Sequence, residues 1–168
     1  MDRRGLDWLA MLALNGASES ETSPLDPDAL HALCAQAFHV GLVDEGRSAF
    51  LIALDQNADY ASPNFRWFGA RYPRFVYVDR VIVAATARGR GLGRSLYEEL
   101  FRVATAAGHV VVTCEVNLEP PNPASQAFHA SLGFHEVGRA SLAGSAKVVR
   151  YLARPIGKAP REVPTLRP

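Results

Sequence analysis

Ala87-Arg88-Gly89-Arg90-Gly91-Leu92-Gly93-Arg94 lies in mid-chain, between an apolar run of strand character and an amphipathic run of helical character. Glycines permit positive φ and a close approach to the backbone, and the first N–H groups of a following helix lack intrahelical partners. The helix dipole and Arg88, Arg90 and Arg94 add positive charge at the same end, so the turn matches a pyrophosphate. A tight strand-to-helix connection would also use glycines for packing alone. No Gly-Lys-Ser/Thr is present, which excludes a P-loop, and the spacing is not that of the dinucleotide fingerprint, which opens a parallel βαβ sheet.

Upstream, Arg74 to Ala84 is mostly apolar, with β-branched or aromatic Phe75, Tyr77, Val81 and Val83, and reads as a strand. Downstream, Leu96, Leu100, Val103 and Ala104 form one stripe of a helix over Ser95 to Ala107. His109 to Val116 reads as the next strand, and Pro120 to Pro123 breaks the chain before a helix over Ala124 to Leu132 that Gly133 caps. Phe134 to Ala140 and Ala146 to Leu152 form a hairpin around Ala143-Gly144, followed by a Pro-rich arm over residues 155–168. Toward the N-terminus, Asp55 to Pro73 is an aromatic-rich loop holding a short helix, and Phe38 to Val43 with Ala49 to Leu54 is a hairpin turning at Asp44-Glu45-Gly46-Arg47. Two helices come first: one whose apolar face is Leu6, Leu9, Ala10, Leu12 and Ala13, and one over Asp28 to Ala37 that buries Leu30, Leu33, Cys34 and Ala37.

With 168 residues and 48% hydrophobic content, the chain suits one domain over residues 1–154. A net charge of +1 gives no field to draw it onto nucleic acid or an anionic membrane. Cys34 and Cys114 have neither disulfide nor zinc spacing, no apolar run approaches the roughly 20 residues of a membrane span, and no signal peptide opens the chain, so a cytoplasmic protein is expected.

Arg88-x-x-Gly91-x-Gly93, after Val78-Asp79-Arg80-Val81-Ile82-Val83 and before Leu96-Tyr97-Glu98-Glu99-Leu100, resembles the acyl-CoA pyrophosphate motif of GNAT acetyltransferases. Asn122-Pro123-Ala124-Ser125-Gln126-Ala127-Phe128-His129-Ala130-Ser131-Leu132-Gly133-Phe134 is similar to that family's second motif, in the right order after the next strand. The resemblance covers roughly Phe38 to Arg154. It implies an α/β fold of α+β type: a mixed, mostly antiparallel sheet of about six or seven strands flanked by helices. It also implies acetyl-CoA as co-substrate with no metal, direct transfer to an amine acceptor, and homodimerisation by analogy. Backbone from Arg88 through Gly89, Arg90, Gly91, Leu92 and Gly93 to Arg94 would hold the phosphates. Val81, Ile82 and Val83 would pair with the pantetheine arm, in a gap between the strand ending at Ala84 and the strand from His109. Asn122, Ser125 and Phe128 would line the cofactor's far side.

Aminolysis of a thioester needs a neutral amine, a stabilised oxyanion and a proton for the leaving thiolate. The family often supplies that proton from a Tyr in the second motif; here His129 stands at the matching position. Tyr97 should point into the core. Glu115, with Asn117 on the same strand face, is the expected base, and Asp79 is a second carboxylate on the acceptor side, paired with Arg80. Asn64, Arg66 and Trp67, in the aromatic segment, are the remaining candidates for the acceptor pocket. Two rival readings are a CoA-binding regulatory module without turnover and a nucleotide- or phosphate-binding protein built on the same turn.

Overall fold

The computed structural model describes residues 6–18, 22–141 and 147–157. Their helices are α1 (Trp8–Gly16), α2 (Pro27–Gln36), α3 (Pro63–Gly69), α4 (Leu92–Ala106) and α5 (Pro123–Ser131). Their strands are β1 (His39–Val43), β2 (Ala49–Asp55), β3 (Val76–Val83), β4 (Val111–Glu119), β5 (His135–Ser141) and β6 (Val148–Pro155). The six strands form one sheet in the order β1-β2-β3-β4-β6-β5, antiparallel throughout except for β3 and β4. This is the mixed α/β architecture expected. The turn at Ala143-Gly144 and the arm beyond residue 157 lie outside the described residues.

Period-two alternation gives the sheet two buried faces. Phe50, Ile52 and Leu54 of β2 point into a core shared with Met11 of α1, Leu30 and Leu33 of α2, and Phe65 and Phe68 of α3. Ala49, Leu51 and Ala53 point the other way, where Leu96, Tyr97, Leu100 and Ala104 of α4 cover them. The first helix departs from the face expected for it. Leu9 is 80% exposed, whereas Met11 and Asn15 are buried, because Met11 fills the core and Asn15 is drawn in by a buried charge.

That charge is Arg80. The β2–β3 register pairs Ala53 with Val78 and Ile52 with Arg80, which leaves Asp79 as an extra residue in β3. Such a bulge shifts the phase of a strand. Tyr77 and Ile82, five residues apart, therefore share the face covered by α1 to α3, while Val78 and Val81 lie against the α4 face. Arg80 is 4% exposed, donates from Nε to Asp79 Oδ2 at 2.7 Å, and reaches Asn15 Oδ1 at 2.5 Å and the Ser23 carbonyl and hydroxyl at 3.2 Å each. One guanidinium thus ties the bulge to the connection between α1 and α2.

Removing one partner of a buried ion pair leaves the other charge desolvated and uncompensated. Arg80→Ala is expected to cost about 3–5 kcal/mol in urea unfolding; a loss below about 1 kcal/mol would show that the tie is unimportant to the fold.

Candidate active site

β3 and β4 run parallel but share only the register pairs Val76↔Val112 and Tyr77↔Thr113 before they separate. Beyond them the sheet is open between Val78–Val83 on one side and the second half of β4 on the other. β4 keeps its partner β6 along that whole stretch, with a shift between Asn117 and Glu119. The opening leads to two cavities that share Thr22, Val81, Asn122, Ser125 and His129.

The larger cavity, about 530 Å³, runs along the β3 end and the N-terminus of α4. Val81, Ile82, Val83, Arg88, Gly89, Gly91, Leu92, Gly93 and Arg94 line one side, and Asn122, Ser125, Phe128 and His129 the other. Asp7, Asp26, Ser62 and Asn122 cap α1, α2, α3 and α5 with their side chains, but no side chain caps α4. Its N-cap is Gly91, at φ +77°, a conformation that L-residues disfavour. A Cβ on Gly93 would come within 3.2 Å of Phe128 Cζ, so this glycine keeps the groove open where α4 approaches α5. The cradle therefore fits an anionic head group followed by a slender arm. Of the three arginines, Arg88 and Arg94 line the groove, and Arg94 also donates to Ser131 Oγ at 3.0 Å; Arg90 is exposed and lies outside the lining.

The smaller cavity, about 250 Å³, is polar. Glu115 of β4 stands in its wall with Asn117, Asp79, Asn64, Tyr60 and Tyr77. Oε1 of Glu115 accepts from Asn64 Nδ2 at 2.9 Å and from the Tyr77 hydroxyl at 3.1 Å. Oε2 is buried and has no hydrogen-bond partner. Burial, followed by the nearby Asp79 charge, pushes the Glu115 carboxyl up to about 7, against Tyr77, Asn64 and its own backbone N–H, which favour its ionised form. Asp79 accepts from the Tyr60 hydroxyl at 2.5 Å as well as from Arg80. Both of its oxygens are engaged, which leaves Glu115 Oε2 as the unpartnered carboxylate oxygen of the two residues.

His129 sits where the cavities join and is 4% exposed. Its Nδ1–H donates to the Ser125 carbonyl at 2.7 Å, so Nε2 is the acceptor for the Tyr97 hydroxyl at 2.8 Å. Burial lowers its affinity for a second proton, with the Ser125 carbonyl opposing, so the imidazole is neutral near pH 7. Tyr97 does point into the core, but it also touches the imidazole and borders the small cavity.

The structure brings together Glu115, Asn117, Asn64, Asp79 and His129. It does not bring Arg66 or Trp67 into either wall: Arg66 is exposed, and Trp67 stacks on Tyr151 with ring centroids 4.2 Å apart, under the Arg71 guanidinium. Tyr77 and Tyr151 were given no part in the site by the sequence reading, whereas Arg80 was expected as the partner of Asp79 and forms that pair at 2.7 Å. Tyr77 and Arg80 lie in a strand whose apolar signal hides their polar ends, and the bulge that places Arg80 has no marker in sequence.

The chain superimposes on the ribosomal-protein-S18-alanine N-acetyltransferase of Escherichia coli with a TM-score of 0.63 at 19% identity, covering 94% of this chain and 92% of that one. It superimposes on yncA of Salmonella typhimurium, solved with its cofactor acetyl-CoA, with a TM-score of 0.65 at 19% identity, covering 99% and 96%. Chaetomium thermophilum Naa20, solved with a bisubstrate analogue, gives 0.66 at 21% identity, covering 92% and 84%. At these identities the likeness is one of fold. No curated protein sequence matches the chain. The family model for the GNAT acetyltransferases matches residues 12–134, which include the uncapped helix, the opening between β3 and β4 and the α5 segment, and the chain belongs to that family.

Proposed function

We propose that this acetyltransferase binds acetyl-CoA in the larger cavity and transfers the acetyl group directly to a primary amine held in the smaller one. The observation that carries this reading is the meeting of the two cavities at Val81, Ser125 and His129, with Glu115 Oε2 unpartnered in the polar chamber. The uncapped N-terminus of α4 supplies N–H donors and a positive dipole end to the pyrophosphate, aided by Arg88 and Arg94. Backbone of β3 from Val81 to Val83, free of β4, offers ladder groups to the pantetheine amides, and Asn122, Ser125 and Phe128 close the other side.

Glu115 is the base. An ammonium acceptor first releases one proton to solvent; the free oxygen of Glu115 then takes a proton from the neutral amine as its nitrogen attacks the thioester carbonyl. The C–N bond forms, the C–S bond breaks, and the proton ends on the thiolate, so nothing else is consumed. His129, which lines both cavities, and Tyr97, hydrogen-bonded to it, would pass that proton on. Asn117 and Asp79 shape the polar wall against the acceptor. The finer setting is proposed on the sequence reading: one domain over residues 1–154, a cytoplasmic location, and a homodimer that sedimentation at micromolar concentration would reveal. Among the described residues, no helix is long and apolar enough to cross a membrane, and no cluster of His, Cys, Asp and Glu suits a metal.

The first test is calorimetric titration of the protein with acetyl-CoA, CoA, ATP and NAD, followed by thiol release over a panel of primary amines. Binding of the two CoA ligands alone supports the reading; preference for ATP or NAD sinks it. Gly91→Ala forces an L-residue into a left-handed conformation that costs about 1–2 kcal/mol, so acetyl-CoA is expected to bind roughly tenfold more weakly.

Glu115→Gln is expected to lower kcat by about 10²-fold or more, the usual contribution of a general base. A second readout needs no acceptor. A carboxyl raised to about 7 in the native state keeps its proton while the unfolded chain has lost its own, so stability falls as pH rises from about 4.5 to 7. Urea unfolding of the wild type should show that decline, and Glu115→Gln should flatten it. An identical slope in both proteins would remove Glu115 as a perturbed group.

A further inference from the structure

Tyr151 lies on β6 directly opposite Glu115 on β4, in the register pair Glu115↔Tyr151, and is 1% exposed. Its hydroxyl does not touch the carboxylate. It donates instead to Asn64 Oδ1 at 3.0 Å, and Asn64 Nδ2 donates to Glu115 Oε1 at 2.9 Å. An asparagine amide has an acceptor end and a donor end that differ little in shape, so either could face the carboxylate. The ionised carboxylate only accepts and so takes the donor end, while the Tyr151 hydroxyl, which can donate, gives Oδ1 its proton and completes the arrangement with the acceptor end toward β6. The tyrosine ring is itself clamped: Trp67 stacks on it at 26° and Phe68 meets it edge-on at 5.2 Å.

We infer that Tyr151 is a positioning residue for the transfer reaction, acting through Asn64 to hold Glu115 with one oxygen saturated and the other presented to the acceptor. The inference rests on the reading of Glu115 as the base. It also gives α3 a task. The aromatic residues around Asn64 seat a donor that a loop would leave free to rotate, and Trp67, outside both cavities, acts on the site by holding Tyr151. With the amide locked, Oε1 receives the two donors from Asn64 and Tyr77, and Oε2 is left unmatched until a substrate N–H arrives. With the amide reversed, Oε1 would face a carbonyl oxygen, which disfavours the ionised carboxylate.

The groups that bear on Glu115 are Asp79 and Tyr77 of β3, Tyr60 ahead of α3, Tyr97 of α4, Cys114 beside it on β4, and Tyr151. Arg80, His129 and Lys147 share the cavity wall. Tyr151→Phe alters none of these other groups, so a change in Glu115 titration reports on the amide lock.

The experiment is ¹³C NMR of protein labelled at glutamate Cδ, with the Glu115 signal identified by its loss in Glu115→Gln, titrated from pH 5 to 9. Tyr151→Phe is expected to raise the Glu115 midpoint by about half to one pH unit, as loss of a hydrogen bond to the charged form should. Asn64→Ala should raise it at least as far, and adding Tyr151→Phe to Asn64→Ala should raise it no further, since Tyr151 acts through Asn64. An unchanged midpoint in Tyr151→Phe, or a shift that adds to that of Asn64→Ala, overturns the inference. Should Tyr151→Phe fail to fold, the wild type decides: the Asn64 side-chain amide signals must move with the Glu115 midpoint, and their independence of it refutes the lock. Thiol release by Glu115→Gln over the amine panel is a separate arm. Full activity there would remove the base reading, while the NMR result would still stand or fall on its own.

Discussion

The separation of β3 from β4 after two register pairs is the constraint on which the site depends. A sheet that stayed paired to the ends of both strands would satisfy its own backbone and leave no gap. Here each strand keeps an intact antiparallel neighbour, β2 for β3 and β6 for β4, so the opening costs ladder bonds at one seam only. The two helices that flank the seam, α4 and α5, approach closely enough to wall it because Gly93 has no side chain against Phe128. Fold and groove are therefore one feature: the parallel pair brings β3 and β4 side by side, and its early end makes room for an extended ligand.

Electrostatics on the other side of the seam follow from burial. Two carboxylates, Asp79 and Glu115, face one small chamber, and like charges in a poorly hydrated space cannot be equally stable. The structure treats them differently. Asp79 receives a guanidinium and a phenol and remains a paired structural charge, whereas Glu115 receives only neutral donors and is driven upward by burial and by Asp79. The Asp79 bulge thus bears on the chemistry as well as on the strand, since it sets beside Arg80 the charge that raises its neighbour across the gap. Environment divides two similar side chains into an anchor and a carboxyl of raised proton affinity.

Much of this was legible in the sequence, and the illegible part has a physical pattern. The glycine-rich turn, the strand before it and the helix after it are local signals, so their places were found within a few residues; α4 begins at Leu92 and β6 runs on to Pro155. Glu115, Asn117 and Asn64 were singled out from residue type and placement, and the fold does bring them to one chamber. Arg66 and Trp67 were grouped with Asn64 as neighbours in sequence, but on a short helix successive residues point in different directions, and only one of the three faces the cavity. The parts of Tyr77 and Tyr151, and the reach of Arg80 beyond its expected partner Asp79, were missed because each sits in an apolar strand and acts through a polar tip whose partner is 38 to 87 residues away for its bonds to Glu115, Asn64, Asn15 and Ser23. Contacts of that kind are set by register, and the register of β2 on β3 is interrupted by a bulge that no residue type announces.

The exchange of a phenol for an imidazole at residue 129 is best understood together with Tyr97. An imidazole alone, buried at the junction with Nδ1–H on the Ser125 carbonyl, would leave Nε2 as an unsatisfied acceptor, which costs free energy. Tyr97 meets that need from the second turn of α4, the helix whose N-terminus no side chain caps. The site therefore retains a phenol, supplied by a different element and one group removed from the groove. Because Tyr97 is buried and the imidazole is neutral, neither is a strong acid in isolation. What the pair provides is a hydrogen-bonded phenol and imidazole near a carboxyl whose affinity for protons lies near neutrality. In the transfer proposed, which takes one proton from nitrogen and returns one to sulfur, the closeness of these groups would matter more than the acidity of any single member.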